Sequence, residues 1–294
     1  MHPLRVGLKL SNQVFPIDVH RRVWRIADEA GFDGCWGFDH MLALGSDPAA
    51  PVYEGWAFLA AMAEATRRPR IGLMVTGNLY RHPGLLAKLG ATVDHLSGGR
   101  LEMGIGAAWN EPEFRMLHMD FPSVGERIRR LDEACTVIKR LWTEPRATFA
   151  GRYYALSDAI AEPKPLQRPH PPIWIGGSGP KRTLRVVAKQ ADVWNSNAGS
   201  FEGTVELAGI LDEHCRAVGR DPESVRRSVQ LRFGAGVDHA VGEPVGLVDD
   251  AVRTAERYVR AGFSEQILLL GGPDPVKNAE LAARELLPRL RSIG

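Results

Sequence analysis

Apolar residues along this 294-residue chain change spacing repeatedly, from every second position to every third or fourth, and eight strand-then-helix alternations can be followed from end to end. The first strand is expected over residues 6–10, with a helix over 18–30 that starts on Asp18 as N-cap and stops at Gly31. Strands over 34–40, 70–79 and 101–107 follow, with helices over 56–65, 83–95 and 124–142. Pro83 suits the first turn of its helix, where a missing N–H costs nothing. Ile128, Leu131, Cys135, Ile138 and Leu141 recur at three- and four-residue steps, which makes one face of the longest helix core. The rhythm breaks over 144–172, where Pro145, Pro163, Pro165, Pro169, Pro171 and Pro172 exclude helix and central strand and leave room for a hairpin near 148–156. It resumes with strands over 173–177, 192–196, 225–234 and 266–271 and helices ending near 189, 218, 261 and 290.

Eight strand–helix units in this length predict one α/β domain over residues 1–294, a (β/α)8 TIM barrel with residues 144–172 as an insertion before the fifth strand. An open doubly wound sheet is the alternative. Barrels carry their active sites at the C-terminal strand ends. Here those ends bring together Phe38, Asp39 and His40; Val75, Thr76, Gly77 and Asn78; Ala107, Ala108, Trp109, Asn110 and Glu111; and Asn195 and Asn197.

At the end of the fifth strand the apolar run Ile173-Trp174-Ile175 stops at Gly176-Gly177-Ser178-Gly179-Pro180, and the next helix begins. A helix start reached through glycines aims unpaired N–H groups and the positive end of the helix dipole at one point, which makes an anion pocket, most often for phosphate. Two sharper readings fail on spacing. A serine-hydrolase elbow needs glycine where Pro180 stands, and a dinucleotide fingerprint starting at Gly104 needs glycine where Trp109 stands.

Composition narrows the class. Net charge is +2 over 37 basic and 35 acidic residues, with no basic stripe for nucleic acid or an anionic membrane. No apolar run approaches the ~18 residues of a membrane span, and the N-terminus reads as strand rather than signal peptide. Cys35, Cys135 and Cys215 are far apart and without a Cys-x-x-Cys pair, which suits reduced thiols in a cytoplasm, the first two as buried small hydrophobes. The nine histidines have no metal spacing, so no metal is expected.

Among the mouth residues, Asp39 and His40 have the most chemical promise, because histidine can move a proton near neutral pH. Neighbours in a strand face opposite ways, so the two share one mouth only if their strand has already ended. The plainer reading has Asp39 capping the loop and His40 packing. Asn110 and Glu111 either hydrogen-bond a polar ring or cap the turn at Pro112, and Trp109 and Trp194 read as packing residues. Arg81 and His82 sit either on a phosphate or in solvent.

These stretches together resemble the luciferase-like monooxygenase superfamily, and within it the F420-dependent oxidoreductase branch. The resemblance rests on Phe38-Asp39-His40, Val75-Thr76-Gly77-Asn78, Tyr80-Arg81-His82-Pro83, Ser97-Gly98-Gly99-Arg100-Leu101, Gly104-Ile105-Gly106-Ala107-Ala108-Trp109-Asn110-Glu111, Glu162-Pro163-Lys164-Pro165 and Trp174-Ile175-Gly176-Gly177-Ser178-Gly179. It implies a cytoplasmic homodimer transferring hydride between coenzyme F420 and an organic substrate. The alternative is an FMN-dependent monooxygenase using oxygen. It also implies a coenzyme phosphate on Gly176, Gly177, Ser178 and Gly179, and a ring beside Asp39, Thr76 and Asn110. A bulge, often with a non-prolyl cis peptide, is expected near Leu73, Met74 and Val75, and His40 takes the place of an acid or base. Sugar-phosphate dehydrogenases of the family carry a glutamate shortly before the matching asparagine; here stand Ala107, Ala108 and Trp109, so the resemblance extends to the cofactor and not to the sugar.

Overall fold

The first strand carries Val6 and Leu8 on the face that packs against helices and Gly7 and Lys9 on the face that looks into the ring of strands, the two-residue alternation of a pleat. In this computed structural model, residues 2–45, 47–196, 199–234, 242–246 and 248–293 are described. The elements run β1 (Arg5–Lys9), α1 (Ile17–Ala30), β2 (Gly34–Gly37), α2 (Gly55–Ala65), β3 (Arg70–Leu73), β4 (Thr76–Gly77), α3 (Pro83–Ser97), β5 (Leu101–Gly106), α4 (Glu111–Met116) and α5 (Val124–Thr143). Then come β6 (Ala147–Ala150), β7 (Ala155–Ala159), β8 (Ile173–Gly176), α6 (Thr183–Gln190), β9 (Val193–Ser196), α7 (Phe201–Ala217), β10 (Arg226–Phe233), β11 (Glu243–Val245), α8 (Val248–Arg260), β12 (Glu265–Leu270), α9 (Pro275–Leu281) and α10 (Leu287–Arg291).

Strands β1, β2, β3, β5, β8, β9, β10 and β12 pair in that order, every pairing parallel, and β12 returns to β1. The ring is closed, and the open-sheet alternative is excluded. Strands β6 and β7 form the antiparallel hairpin expected between α5 and β8.

Four boundaries differ from expectation. Strand β2 stops at Gly37, short of His40. The expected third strand breaks at Met74 and Val75, whose peptide bond is cis, and resumes as the short β4. Helix α1 starts one residue before Asp18, with Pro16 in the N-cap place, and Asp18 instead sits in the first turn, where its charge suits the dipole. The last helix is interrupted by a π turn at Ala282–Leu286; Pro288 has no N–H to continue an α-helical ladder there.

Two cores result. The larger lies between ring and helices, and the smaller fills the lumen with Trp36, Met74, Trp174, Val193 and Ile267. The Trp36 and Trp174 rings lie 4.5 Å apart between centroids. Gly72 makes room for them, since a Cβ there would come within 2.4 Å of Trp36 Cζ3. At the N-terminal strand ends the buried carboxylates of Glu102 and Glu265 are held by Arg5, Arg70 and Arg226. Trp174 Nε1 also donates to Glu102 Oε2 at 2.6 Å. These residues seal that end, so the open space lies at the C-terminal end.

Candidate active site

A cavity of about 340 Å3 opens at the C-terminal strand ends, and Asp39, His40, Met74, Val75, Gly176 and Gly177 line it together. Because β2 has ended before them, Asp39 and His40 are free of strand alternation and reach the same space. The glycine turn and the histidine therefore share one mouth.

His40 Nδ1 is 2.9 Å from Oε1 of Glu113, a carboxylate with no solvent exposure. Glu113 sits in the first turn of α4 and also accepts the backbone N–H groups of Met41 at 3.0 Å and Leu42 at 3.1 Å, and the hydroxyl of Tyr80. Burial pushes its carboxyl up, but the His40 contact and charge, with the Tyr80 and Leu42 bonds, outweigh burial and hold it below the usual range. An ionised carboxylate fixes Nδ1 as the protonated nitrogen and leaves Nε2 for a ligand. Trp109 lies edge-on to the His40 ring at 5.6 Å and is 63% exposed, so it forms the lip of the mouth rather than packing as expected.

Asp39 is spoken for. Its carboxylate makes a two-point ion pair with Arg81, Oδ2 to Nη1 at 2.6 Å and Oδ1 to Nη2 at 3.1 Å, and accepts the Thr76 hydroxyl. Thr76 itself accepts from Trp56 Nε1 at 3.2 Å. Asp39 and Thr76 thus brace the wall. Arg81 is also paired with Glu54, and His82 caps α3 by accepting from Gly84 N at 3.1 Å, so both are engaged by the protein itself.

Val75, just after the cis bond, presses its methyls toward Gly106 and Gly176, where a Cβ would stand 2.8 Å and 3.3 Å from them. Those glycines leave a flat-sided slot. Beyond it Gly177 adopts φ 138° and spends its N–H on Asn195 O at 3.2 Å, while its carbonyl accepts from Trp194 Nε1 at 2.9 Å. The anion pocket is therefore narrower than the glycine pattern implies, because one of its expected donors is consumed holding the loop. Ser178, Gly179 and Asn110 stand beside the mouth but outside the cavity lining; Asn110 is at the N-cap position of α4, its carbonyl accepting from Glu113 N at 3.2 Å. Asn197 lies outside the described residues.

Sequence reasoning missed two residues. Glu113 is indistinguishable from Glu111 until α4 forms and turns one inward and the other out. Lys9 lines the cavity floor, 6% exposed, and burial pushes its amine down to about 7. Its signal was present in the sequence, a charge on the in-facing positions of an apolar strand.

A closed (β/α)8 barrel with a buried acid–base pair beside a glycine-walled slot defines a barrel enzyme. The chain belongs to the luciferase-like monooxygenase family, whose profile matches residues 1–280. It is 32% identical to the F420-dependent glucose-6-phosphate dehydrogenase of Amycolatopsis mediterranei (strain U-32), with 99% of this chain and 100% of that protein covered. It is 31% identical to the FMNH(2)-dependent dimethylsulfone monooxygenase of Pseudomonas putida, over 92% of this chain and 80% of that one. An F420-dependent secondary alcohol dehydrogenase, solved with an F420-acetone adduct, superposes with a TM-score of 0.85 at 20% identity, covering 98% of this chain and 99% of its own.

Proposed function

We propose that the protein is an F420-dependent oxidoreductase moving a hydride between the coenzyme and a small organic substrate. The observation that carries this reading is His40, anchored through Nδ1 by a buried carboxylate and lining the same cavity as the glycine slot. The residues present fit a planar ring with an anionic tail: Val75, Gly106 and Gly176 leave a flat-sided space, and Gly177, Ser178 and Gly179 lead to the start of α6. Met74 and Val75 would back the ring, with Asp39, Thr76 and Asn110 around it.

When bound, the coenzyme supplies the redox chemistry as donor or acceptor of the hydride. The protein's part is positional and protic. His40 Nε2 takes the hydroxyl proton of a substrate that loses hydride, or returns a proton to one that gains it. Glu113 stabilises the imidazolium formed in the first direction. Ala107 and Ala108 leave the position of the sugar-phosphate enzymes' glutamate without a carboxylate, so the substrate is set apart from theirs. The reading includes a homodimer in the cytoplasm, by analogy with the family; light scattering tests the assembly.

A reduced-FMN monooxygenase is the second reading, favoured by the 31% identity to the Pseudomonas putida enzyme. Titration of the purified protein with F420 and FMN separates the two: tight F420 and weak FMN binding is expected, and the reverse overturns the first reading. His40→Ala is expected to lower kcat by ~100-fold or more, the scale of a lost general acid or base, with coenzyme binding retained. Unchanged turnover would remove the proton-transfer role.

A further inference from the structure

The floor of the cavity holds a cation that the reaction above does not use. Lys9 Nζ donates to Gln230 Oε1 at 2.8 Å and to the carbonyl of Met74 at 3.3 Å. An ammonium has three N–H donors, and these two acceptors leave one for the cavity that the side chain lines. An ammonium only donates, so Gln230 turns its oxygen to Lys9; its Nε2 then donates to Asn195 Oδ1 at 3.2 Å, and Asn195 Nδ2 donates to Ser228 Oγ at 3.1 Å. This chain across β10 and β9 accommodates that orientation, since the Ser228 hydroxyl at its end can accept.

No carboxylate in the described structure compensates Lys9. The titratable groups on neighbouring elements are committed elsewhere: Asp39 to Arg81, His40 and Tyr80 to Glu113, and Arg127 to the carbonyl of Pro122. Gln230 and Asn195 facing it from β10 and β9, and Met74 after β3, are uncharged. Glu102 and Glu265 lie at the far end of the barrel with their own arginines. A buried amine with neutral partners costs stability unless something else returns it, and a ligand is what enters this space.

We propose that Lys9 is the recognition group for the negatively charged edge of the ring in this cavity, giving that edge its third N–H. Only the protonated amine has that third N–H and the charge, so the site selects an anionic heteroaromatic ligand over a neutral one of the same shape. The inference rests on the coenzyme reading above and adds to it a residue that senses the ligand's charge.

Fluorescence titration of F420 against the wild type, Lys9→Met and Lys9→Gln, at about pH 6 and about pH 8.5, tests it on either side of the amine's titration. The wild type should bind about tenfold or more tighter than either variant at the acidic pH, and this advantage should shrink at the alkaline pH. Comparing proteins at one pH removes any effect of pH common to all three. Lys9→Gln should melt no lower than the wild type, because a desolvated charge is removed while an N–H remains for Gln230 Oε1; Lys9→Met leaves two acceptors unpaired and should melt at or slightly below it. Nitrogen NMR of the Lys9 amine should show its titration moving upward when ligand is added. Equal affinity of wild type and Lys9→Met at both pH values, or an amine titration that ignores the ligand, overturns the proposal while leaving the coenzyme reading intact. Failure of the wild type to bind F420 or FMN overturns the coenzyme reading, and this inference with it.

Discussion

His40 was legible from the sequence because histidine is the side chain that titrates near neutral pH and it stands at a strand end. Its partner was not, because a lone glutamate after Pro112 gives no sign of facing inward until the turn of α4 is known. In the proposed reaction Glu113 acts through His40, as a positioning residue. Glu113→Gln should therefore lower kcat by roughly tenfold or more with little change in KM, since the proton-transfer group loses its orientation. Glu113→Asp, which keeps a carboxylate, should recover part of that loss where Glu113→Gln does not, because a negative charge again faces Nδ1. Equal losses in both variants, with KM rising alongside, would mean that Glu113 serves only to hold the loop at Met41 and Leu42. Lys9 could have been found earlier: in Val6, Gly7, Leu8 and Lys9 the alternation already puts the charge inside.

Local elements tell a similar story. The strand-glycine-helix turn was readable because glycines after an apolar run leave few backbone choices, but how many of its N–H groups remain for an anion depended on β9, far along the chain. Asn195 O and Trp194 Nε1 hold Gly177 from both sides, at 3.2 Å and 2.9 Å. Gly177→Ala adds a Cβ 2.9 Å from Thr183 Cγ2 at a φ of 138°, a conformation L residues rarely adopt. The strain, of order 1–3 kcal/mol, should displace the turn and weaken coenzyme affinity about tenfold, with kcat at saturating coenzyme largely kept. An unchanged dissociation constant would show that the turn does not contact the coenzyme. The break after β3 was anticipated only through the family resemblance; the alternation of side chains alone reads straight through Met74 and Val75.

At the scale of the whole molecule, the eight alternations were enough for the closed ring, because a parallel sheet with a helix after every strand has few ways to bury both faces. What the pattern could not reveal was which ends of the strands are sealed. That depends on Glu102 and Glu265 meeting arginines from β1, β3 and β10, contacts between residues distant in sequence. Glu102→Ala leaves Arg70 and Trp174 Nε1 without their buried acceptor. It should cost ~3–5 kcal/mol in denaturant unfolding, the usual penalty for breaking a buried pair, while the cavity residues keep their places. A loss under about 1 kcal/mol would place the arginines effectively in water.

The tryptophan pair in the lumen and the charged seal beneath it have a consequence for traffic. Among the described residues the barrel is closed at its base and its cavity opens past Trp109. In the proposed reaction a ring seated against Lys9 lies beneath the substrate, so it would go in first and come out last. Turnover on this proposal is therefore expected to be ordered, coenzyme before substrate and product away before the coenzyme can be exchanged, an order that product-inhibition kinetics checks.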